Sequence, residues 1–520
     1  MKRWEIVLAL VGSATLGLSA WALRITELPH RDVIIAAGGC HLPATILEPI
    51  GHPRGTAVVL HGLAADRRIM KPIGTYLTSM EKLRVYLFDL SGHGDNTDAF
   101  SFARADACAR IMPESLIRSG QIDPKRTILV GHSMGGAIAI RATDRAPVAG
   151  TIALSPAPTP LPRRMPSNLL VFSAQFDLPI LKRAAQTLAQ AAGGERTSTD
   201  DFLQSRAFHL EVTPFSDHVS LLDDPRVMRQ IGFWTYSVLE RGQQEQSSFR
   251  GWNERGSQSI LLGLDTMLVF PNFAPIAGLL GFLALFPLFA TIAAHFAGPR
   301  LDDFVTPKPP ITLALAEGAV CALATALLLK PFVPLAFLHL YTGDYLASLL
   351  LIAGILLMAL NWQSAKQSLR FDARAFFAAA ALGFAVMIGV GAWLNWQTAD
   401  LWLNAPRWLR FAALVPIAWI FCFAEEVVLG PVGQGRRRAA RFAVCLALRA
   451  ELWLACLLTY YALASGQMLI LILVATLAIF SILQRLATDA LRTRTGSPAA
   501  AAFFGAILAA WFIAAIFPLT

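Results

Sequence analysis

Charge is scarce in this chain. Only 15% of its residues are Asp, Glu, Lys or Arg, against about a quarter in an ordinary soluble protein. The shortage is uneven. Residues up to about 255 read as globular, whereas most of the chain after Ile260 is long apolar runs separated by short polar loops. That second half reads as a membrane domain, and 520 residues suggest two or more domains. Cysteine is also sparse. The six cysteines form no C-x-x-C pair and no metal-ligand spacing, so no metal site is expected and no organic cofactor is implied. Cys321, Cys422, Cys445 and Cys456 fall in apolar helices and read as core thiols. Cys40 and Cys108 lie in the globular half and could pair in an oxidising compartment. The chain lacks a basic-aromatic surface and any nucleic-acid motif. Its formal net charge of +9 is carried largely by loops between apolar runs, where Arg and Lys set topology, so a nucleic-acid partner is discounted.

What is present centres on Thr127–Arg141, TILVGHSMGGAIAIR. Ile128-Leu129-Val130 reads as a short buried strand, and Ala137–Ile140 opens a helical repeat. Between them lies Gly131-His132-Ser133-Met134-Gly135, a G-x-S-x-G pattern in the strand–turn–helix setting of a nucleophile elbow. The turn is tight enough that side chains at Gly131 and Gly135 would collide. The helix beginning there aims free N–H groups at the reacting centre.

The rest of the first half supplies the context. Asp32–Ala36, Leu42–Leu47, Thr56–Leu60 and Leu83–Phe88 read as strands before the elbow. Ala103–Ser119 reads as helix with a break at Pro113. Strands recur at Gly150–Leu154, Leu169–Phe172 and Phe208–Val212, with helical patterns between them. This alternation predicts an α/β fold, a mostly parallel sheet with helices on both faces. Four features occur in order: His61-Gly62 after a strand, Asp89-x-x-Gly92-His93-Gly94, the elbow, and late Asp and His residues. Residues 30–240 therefore resemble an α/β-hydrolase domain of the monoacylglycerol-lipase-like serine hydrolase kind. The resemblance implies Ser133 as nucleophile, Asp177 as the acid and His218 as the base, with the oxyanion met by the backbone N–H groups of Met134 and Leu63. The chemistry needs all three side chains. Serine must be deprotonated by a base, and the acid holds the imidazole tautomer. Asp200, Asp201 and Asp217 are rival acids; Asp200 and Asp201 sit in a polar loop expected to be solvated. His61 and His93 read as structural, and His132 is the variable position of the elbow. Many such relatives insert a helical cap after the strand that comes next beyond the elbow helix. Here Ser155–Arg164 is too short and proline-rich for one, so no cap is expected.

The N-terminus, 1–25, carries a basic start and an apolar run from Ile6 to Leu23, read as an uncleaved transmembrane anchor. Residues 241–270 read as a polar linker and an interfacial segment. Residues 271–520 read as a polytopic domain of about eight helices, at roughly 273–296, 311–337, 344–361, 375–395, 408–427, 440–463, 466–484 and 499–518. Basic residues cluster in alternate loops, including Gly298–Lys308, Ser364–Arg374, Gly435–Arg441 and Gln484–Arg494. The positive-inside rule then puts the N-terminus in the cytoplasm and the hydrolase domain outside the cytoplasmic membrane. Glu317, Glu425, Glu426, Arg449 and Glu451 fall inside the spans and mark a candidate intramembrane polar site. Phe423-Ala424-Glu425-Glu426 is similar to the paired glutamates of the CAAX-protease-like membrane family. Gly430 stands where an arginine is expected and no histidine follows His339, so protease activity is not predicted.

These readings point to a membrane-integrated serine hydrolase cleaving ester or thioester bonds of a small-molecule or lipid substrate. Alternatives are a transporter or lipid-handling protein with an accessory hydrolase domain, and an acyltransferase using the same serine. A transporting bundle should need Glu317 and the Glu425/Glu426 pair, whereas an anchor should tolerate their replacement by Gln.

Overall fold

The computed structural model describes residues 3–240, 273–299, 310–432, 436–463 and 468–520. The linker and interfacial segment expected at 241–270 lie outside them. The chain divides into two compact units. One comprises Gly17–Gly278 with Trp393–Asp400 and Leu519–Thr520; the other comprises Met1–Leu16, Leu279–Ala392 and Leu401–Pro518.

The N-terminal helix α1 spans Arg3–Ile25. The strands after it are β1 (His30–Ala37), β2 (Cys40–Leu47), β3 (Gly55–Leu60), β4 (Leu83–Phe88), β5 (Thr127–His132), β6 (Gly150–Leu154), β7 (Leu169–Ala174) and β8 (Phe208–Thr213). They form one sheet ordered β1-β2-β4-β3-β5-β6-β7-β8. β1–β2 and β2–β4 pair antiparallel, and every other pair is parallel. Between the strands run α2 (Lys71–Ser79), α3 (Phe102–Arg118), α4 (Met134–Ala142), α5 (Pro179–Ala192) and α6 (Thr199–Leu203), and α7 (Pro225–Leu239) closes the domain. Side-chain alternation explains the two faces. Ile152, Leu170 and Phe172 pack with Leu77 of α2 and Trp234 of α7. Ala153, Leu169 and Val171 pack on the other face with Ile140 of α4 and Leu188 of α5. Both faces are buried, which is why the central strands read as unbroken apolar runs. No helix lies between β6 and β7, in line with the expected lack of a cap.

Helix α3 does not break at Pro113, contrary to the sequence expectation. A proline removes one ladder bond, but Ala109 and Leu116 on either side of that gap stay buried against the domain, and the first half of the helix is anchored twice. Ser101 caps its start by accepting the Arg104 N–H, and Cys108 in its middle is tied to β2 by a disulfide to Cys40. That bridge closes a loop 68 residues apart in sequence, worth about 4 kcal/mol on the chain-entropy account. Reduction with dithiothreitol is therefore expected to lower the unfolding midpoint of this domain by several degrees. The Cys40→Ser/Cys108→Ser chain should show the lowered midpoint with or without reductant. Equal midpoints for oxidised and reduced wild type would contradict the assignment.

The second unit is helical. Its helices are α8 (Phe273–Ala297), α9 (Ile311–Leu328), α10 (Gly343–Leu360), the short α11 (Trp362–Ser368), α12 (Ala373–Gln397), α13 (Ala405–Leu429), α14 (Arg436–Leu463), α15 (Met468–Thr495) and α16 (Pro498–Ile516). Among the described residues eight helices, α1 included, are long and apolar enough to cross a membrane. Helix α14, where a span was expected at 440–463, is continuous but falls outside that set. Arg441, Arg449 and Glu451 dilute its apolarity, and their charges are turned into the bundle. Helix α9 stops at Leu328, short of the expected 337, and Val333–His339 forms irregular chain with one 3-10 turn. The Ala-rich α16 is buried along nearly its whole length. Its C-terminal carbonyls are satisfied by the buried Arg407 guanidinium, which donates to Ala514, Ala515 and Phe517 at 2.5, 2.9 and 3.1 Å. This is a cation placed at the negative end of a helix dipole.

Candidate active site

The fully buried β5 delivers the chain into a sharp turn at Ser133, whose φ of 53° and ψ of −115° lie where non-glycine residues are strained. Helix α4 begins at the next residue. The flanking glycines are sterically obligatory. A Cβ on Gly131 would lie 2.2 Å from the Gly135 carbonyl oxygen, and one on Gly135 would lie 2.4 Å from that of Leu60. The turn is held by the Ser133 N–H donating to Leu154 O at 2.8 Å and by Ser133 O accepting from Ala157 N at 3.0 Å. Gly62 lies against the turn, since a Cβ there would stand 3.0 Å from Ser133 Cβ. The N–H groups of Leu63 and Met134, the two expected oxyanion donors, are taken up by no acceptor among the described residues.

Asp177 and His218 are brought together. Asp177 sits in the turn after β7 and His218 in the loop after β8. The His218 Nδ1–H donates to Asp177 Oδ1 at 2.9 Å. The other carboxylate oxygen, Oδ2, accepts from Ser155 Oγ at 2.5 Å and from the Ala174 N–H at 3.0 Å. Burial opposes the charge on Asp177, yet the hydrogen bond and charge of His218, with Ser155 and Ala174, hold its carboxyl below the usual range. The two loops are also stitched by backbone, Phe176 N–H to Ser216 O at 3.0 Å. With Nδ1 protonated, His218 Nε2 carries the free lone pair. No hydrogen bond joins it to Ser133 Oγ in this geometry; such contacts tighten when substrate is bound. His218 nevertheless stands beside the elbow, its ring 4.7 Å from that of His132.

The rival acids serve elsewhere. Asp201 is buried rather than solvated as expected, because it closes a capping box with Ser198 and accepts from Arg206 Nε at 2.8 Å. Asp217 accepts the N–H groups of Val219 and Ser220 and shapes the histidine loop, and Asp200 is exposed on the first turn of α6. His61 accepts the Leu90 N–H at 3.0 Å, and His93 accepts the Ala64 N–H at 3.1 Å. Both are loop-holding, as the sequence suggested. Ser155, in the proline-rich connection, is a partner of Asp177 that sequence reasoning missed.

His132 is fully buried, and its Nε2 donates to the backbone oxygen of His218 at 2.8 Å. Burial first, then the neighbouring His218, push its pKa down to about 3. Unfolded, the same group titrates near 6.5, so the unfolded chain takes up the proton first. The stability it supports is complete above 6.5 and lost as pH falls toward 3. The unfolding midpoint should therefore drop on acidification through this window, and His132→Gln should flatten that part of the profile. An unchanged slope in the variant would assign the acid lability to other groups.

Among the described residues one acidic trio, Asp89, Asp95 and Asp400, brings ligand atoms within 4.8 Å of one another. Arg67 pairs with Asp89 and Asp95, and Arg68 with Asp400 at 2.6 Å. Guanidinium groups already neutralise this trio, which suits an ion-pair network better than a metal. In the helical unit the five expected polar residues do not form one site. Glu425 is bidentate to Arg449, at 2.7 Å for both contacts. Glu426 faces Arg441 and Arg485 instead. Glu317 accepts from Asn361 at 2.9 Å, and Glu451 lies against Gly318. The sequence reading counted Arg441, Arg485 and Arg492 as loop charges. The spacing of Arg485, Asp489 and Arg492 on one helix face was the available signal.

Residues 57–277 match the family described as "Alpha/beta hydrolase family". Among curated proteins, an uncharacterized protein of Mycobacterium tuberculosis is 30% identical over 132 residues, covering 24% of this chain and 45% of that protein. Ethanol acetyltransferase 1 of Eremothecium cymbalariae is 28% identical over 120 residues, covering 23% of this chain and 32% of that one. The matches thus span less than half the length of these relatives. Among solved structures, an esterase of Pyrobaculum calidifontis superposes with a TM-score of 0.33 at 15% identity, covering 46% of this chain and 95% of its own. A thermostable carboxylesterase from a metagenomic library gives 0.33 at 16%, covering 47% and 99%. The family match and the observed sheet establish an α/β-hydrolase fold in the first half.

Proposed function

We propose that this chain is a multi-pass membrane protein whose extracytoplasmic domain is a serine hydrolase cleaving ester or thioester bonds of apolar acyl substrates. The observation that carries the reading is the Asp177–His218 pair, 2.9 Å apart, beside a serine held at a strained elbow. Ser133 attacks the acyl carbon, and its proton passes to His218 Nε2. Asp177 steadies the imidazolium that forms. The oxyanion develops toward the Met134 and Leu63 N–H groups, which are preorganised and taken up by no acceptor among the described residues. Collapse expels the alcohol or thiol, protonated by His218, and leaves an acyl-enzyme. Water then enters, gives its proton to His218 and releases the acid.

Hydrolysis of a p-nitrophenyl ester series of increasing chain length by the full chain in detergent tests this reading. An initial burst of about one nitrophenolate per protein is the signature of an acyl-enzyme, and longer acyl chains should react better. No turnover with any ester would contradict it. The likeness to an ethanol acetyltransferase gives a second reading, in which an alcohol accepts the acyl group. Addition of ethanol would then divert product from acid to ethyl ester.

The outward placement of the hydrolase domain rests on the alternation of basic loops, and the Cys40–Cys108 bridge suits an oxidising compartment. A cysteine at Thr197 should therefore react with an impermeant thiol reagent in intact cells. Reaction only after lysis would invert the topology.

A further inference from the structure

The Leu63 N–H is a preorganised oxyanion donor only while the amide planes on both sides of Leu63 are held still. Two buried histidines hold one plane each. His61 Nδ1 lies 2.7 Å from Gly62 O. A carbonyl oxygen only accepts, so this nitrogen carries the proton. His61 Nε2 accepts the Leu90 N–H at 3.0 Å. Gly62 O and the Leu63 N–H belong to one planar amide, so His61 orients the donor group itself. His93 repeats the arrangement on the next amide. Its Nδ1–H donates to Ser91 O at 2.8 Å, and its Nε2 accepts the Ala64 N–H at 3.1 Å. That bond holds Ala64 at a φ of 56°, where a residue with a side chain is strained. The two rings lie 5.0 Å apart and are 0% and 1% exposed.

His93 is in turn enclosed by chain from far along the sequence. Leu519, just beyond α16, is buried and belongs to the same compact unit as the hydrolase domain. Its N–H donates to Gly92 O at 3.0 Å, and its O accepts the Phe100 N–H at 2.5 Å. This backbone bridge closes the loop that carries His93. The Phe100 ring meets the His93 ring edge-on at 5.1 Å. The approach of Leu519 requires glycine at 92. Gly92 has a φ of 75°, and a Cβ there would stand 2.5 Å from Leu519 O.

We propose that Leu519 is a strap that positions the oxyanion donor Leu63, acting through Gly92, Phe100 and His93. The inference rests on the serine-hydrolase reading above and makes ester turnover depend on the segment that follows α16. With the strap released, His93 turns from Ala64, the strained backbone relaxes, and the Leu63 N–H moves off the developing oxyanion. Contacts to the ground-state ester are untouched, so kcat falls while KM holds.

The test compares wild type, Leu519→Pro, His93→Ala and His93→Gln, each as the full chain in detergent. Two quantities are read: kcat and KM for the best p-nitrophenyl ester, and the inhibition constant of an aryl trifluoromethyl ketone. Ser133 Oγ adds to the ketone carbon, its proton passes to His218, and the carbonyl electron pair becomes an alkoxide in the oxyanion hole. Leu519→Pro lacks the N–H that Gly92 O accepts, and His93→Ala lacks the acceptor for Ala64. They should lower kcat about tenfold and about a hundredfold respectively, as for a donor misplaced by up to an ångström. KM should hold in both, and the ketone should bind more weakly by the factor by which kcat falls. His93→Gln, whose Oε1 can accept from the Ala64 N–H, should recover most of the loss. Thermal unfolding shows which variants are folded; if His93→Ala is not, Leu519→Pro decides. A lowered midpoint with kcat and ketone affinity unchanged in the folded variants overturns the proposal and leaves the serine chemistry standing. A folded wild-type chain inert to both ester and ketone overturns the serine-hydrolase reading, and this proposal with it.

Discussion

Ser133→Ala is expected to cut ester turnover by about a million-fold, on the order seen when a triad nucleophile is deleted. No other group at the site is placed to form the acyl bond. Gly131, Gly135 and Gly62, the three glycines packed around Ser133, have no room for a side chain. The fold should survive the change. Ser133 Oγ makes no hydrogen bond to the described residues, and alanine shares the backbone strain at φ 53° about equally. The measurement is steady-state hydrolysis of the best p-nitrophenyl ester, with thermal unfolding as a control. Activity within tenfold of wild type in a folded variant would remove Ser133 from the chemistry.

Asp177→Asn should cost about 10⁴-fold in kcat, and the structure gives a specific reason. The Oδ2 position is fixed as an acceptor by two donors, Ser155 Oγ at 2.5 Å and the Ala174 N–H at 3.0 Å. An asparagine must place its oxygen there, which turns its amide NH₂ toward His218 Nδ1. The imidazole then flips tautomer, with Nδ1 accepting and the proton on Nε2. Nε2 can no longer take the serine proton. Asp200→Asn and Asp201→Asn should leave kcat near wild type, because neither carboxylate pairs with His218. Asp201→Asn should instead weaken the start of α6, where Asp201 closes the Ser198 capping box, by about 1 kcal/mol. A collapse of kcat in Asp201→Asn with Asp177→Asn unaffected would reverse the acid assignment.

The hydrolase half was legible because its signals are local. Strand β5, the glycines and the start of α4 are adjacent in sequence, so steric necessity at Gly131 and Gly135 is written into one stretch. The mostly parallel sheet follows from the alternation of strand and helix, and the Asp177–His218 pairing from the resemblance to α/β-hydrolases. Ser155 was not legible. Its bond to Asp177 joins residues whose proximity depends on the parallel pairing of β6 and β7. The burial of Asp201 escaped for a different reason, since a polar composition hides a capping box. In the helical half, hydropathy located most of the apolar helices but could not say which way a charge points. Arg441 and Arg485 looked like loop charges, yet they turn inward onto Glu426 and Asp489. A sum over a window cannot separate a charge facing lipid from one facing a carboxylate.

The central claim is that Ser133 is an activated nucleophile. Its most direct test is reaction of the purified full chain with a fluorophosphonate probe, followed by peptide mass spectrometry. The expected result is a stoichiometric adduct on Ser133, absent in Ser133→Ala and strongly slowed in Asp177→Asn. An adduct on another serine, or an unreactive wild-type protein that is demonstrably folded, would contradict it.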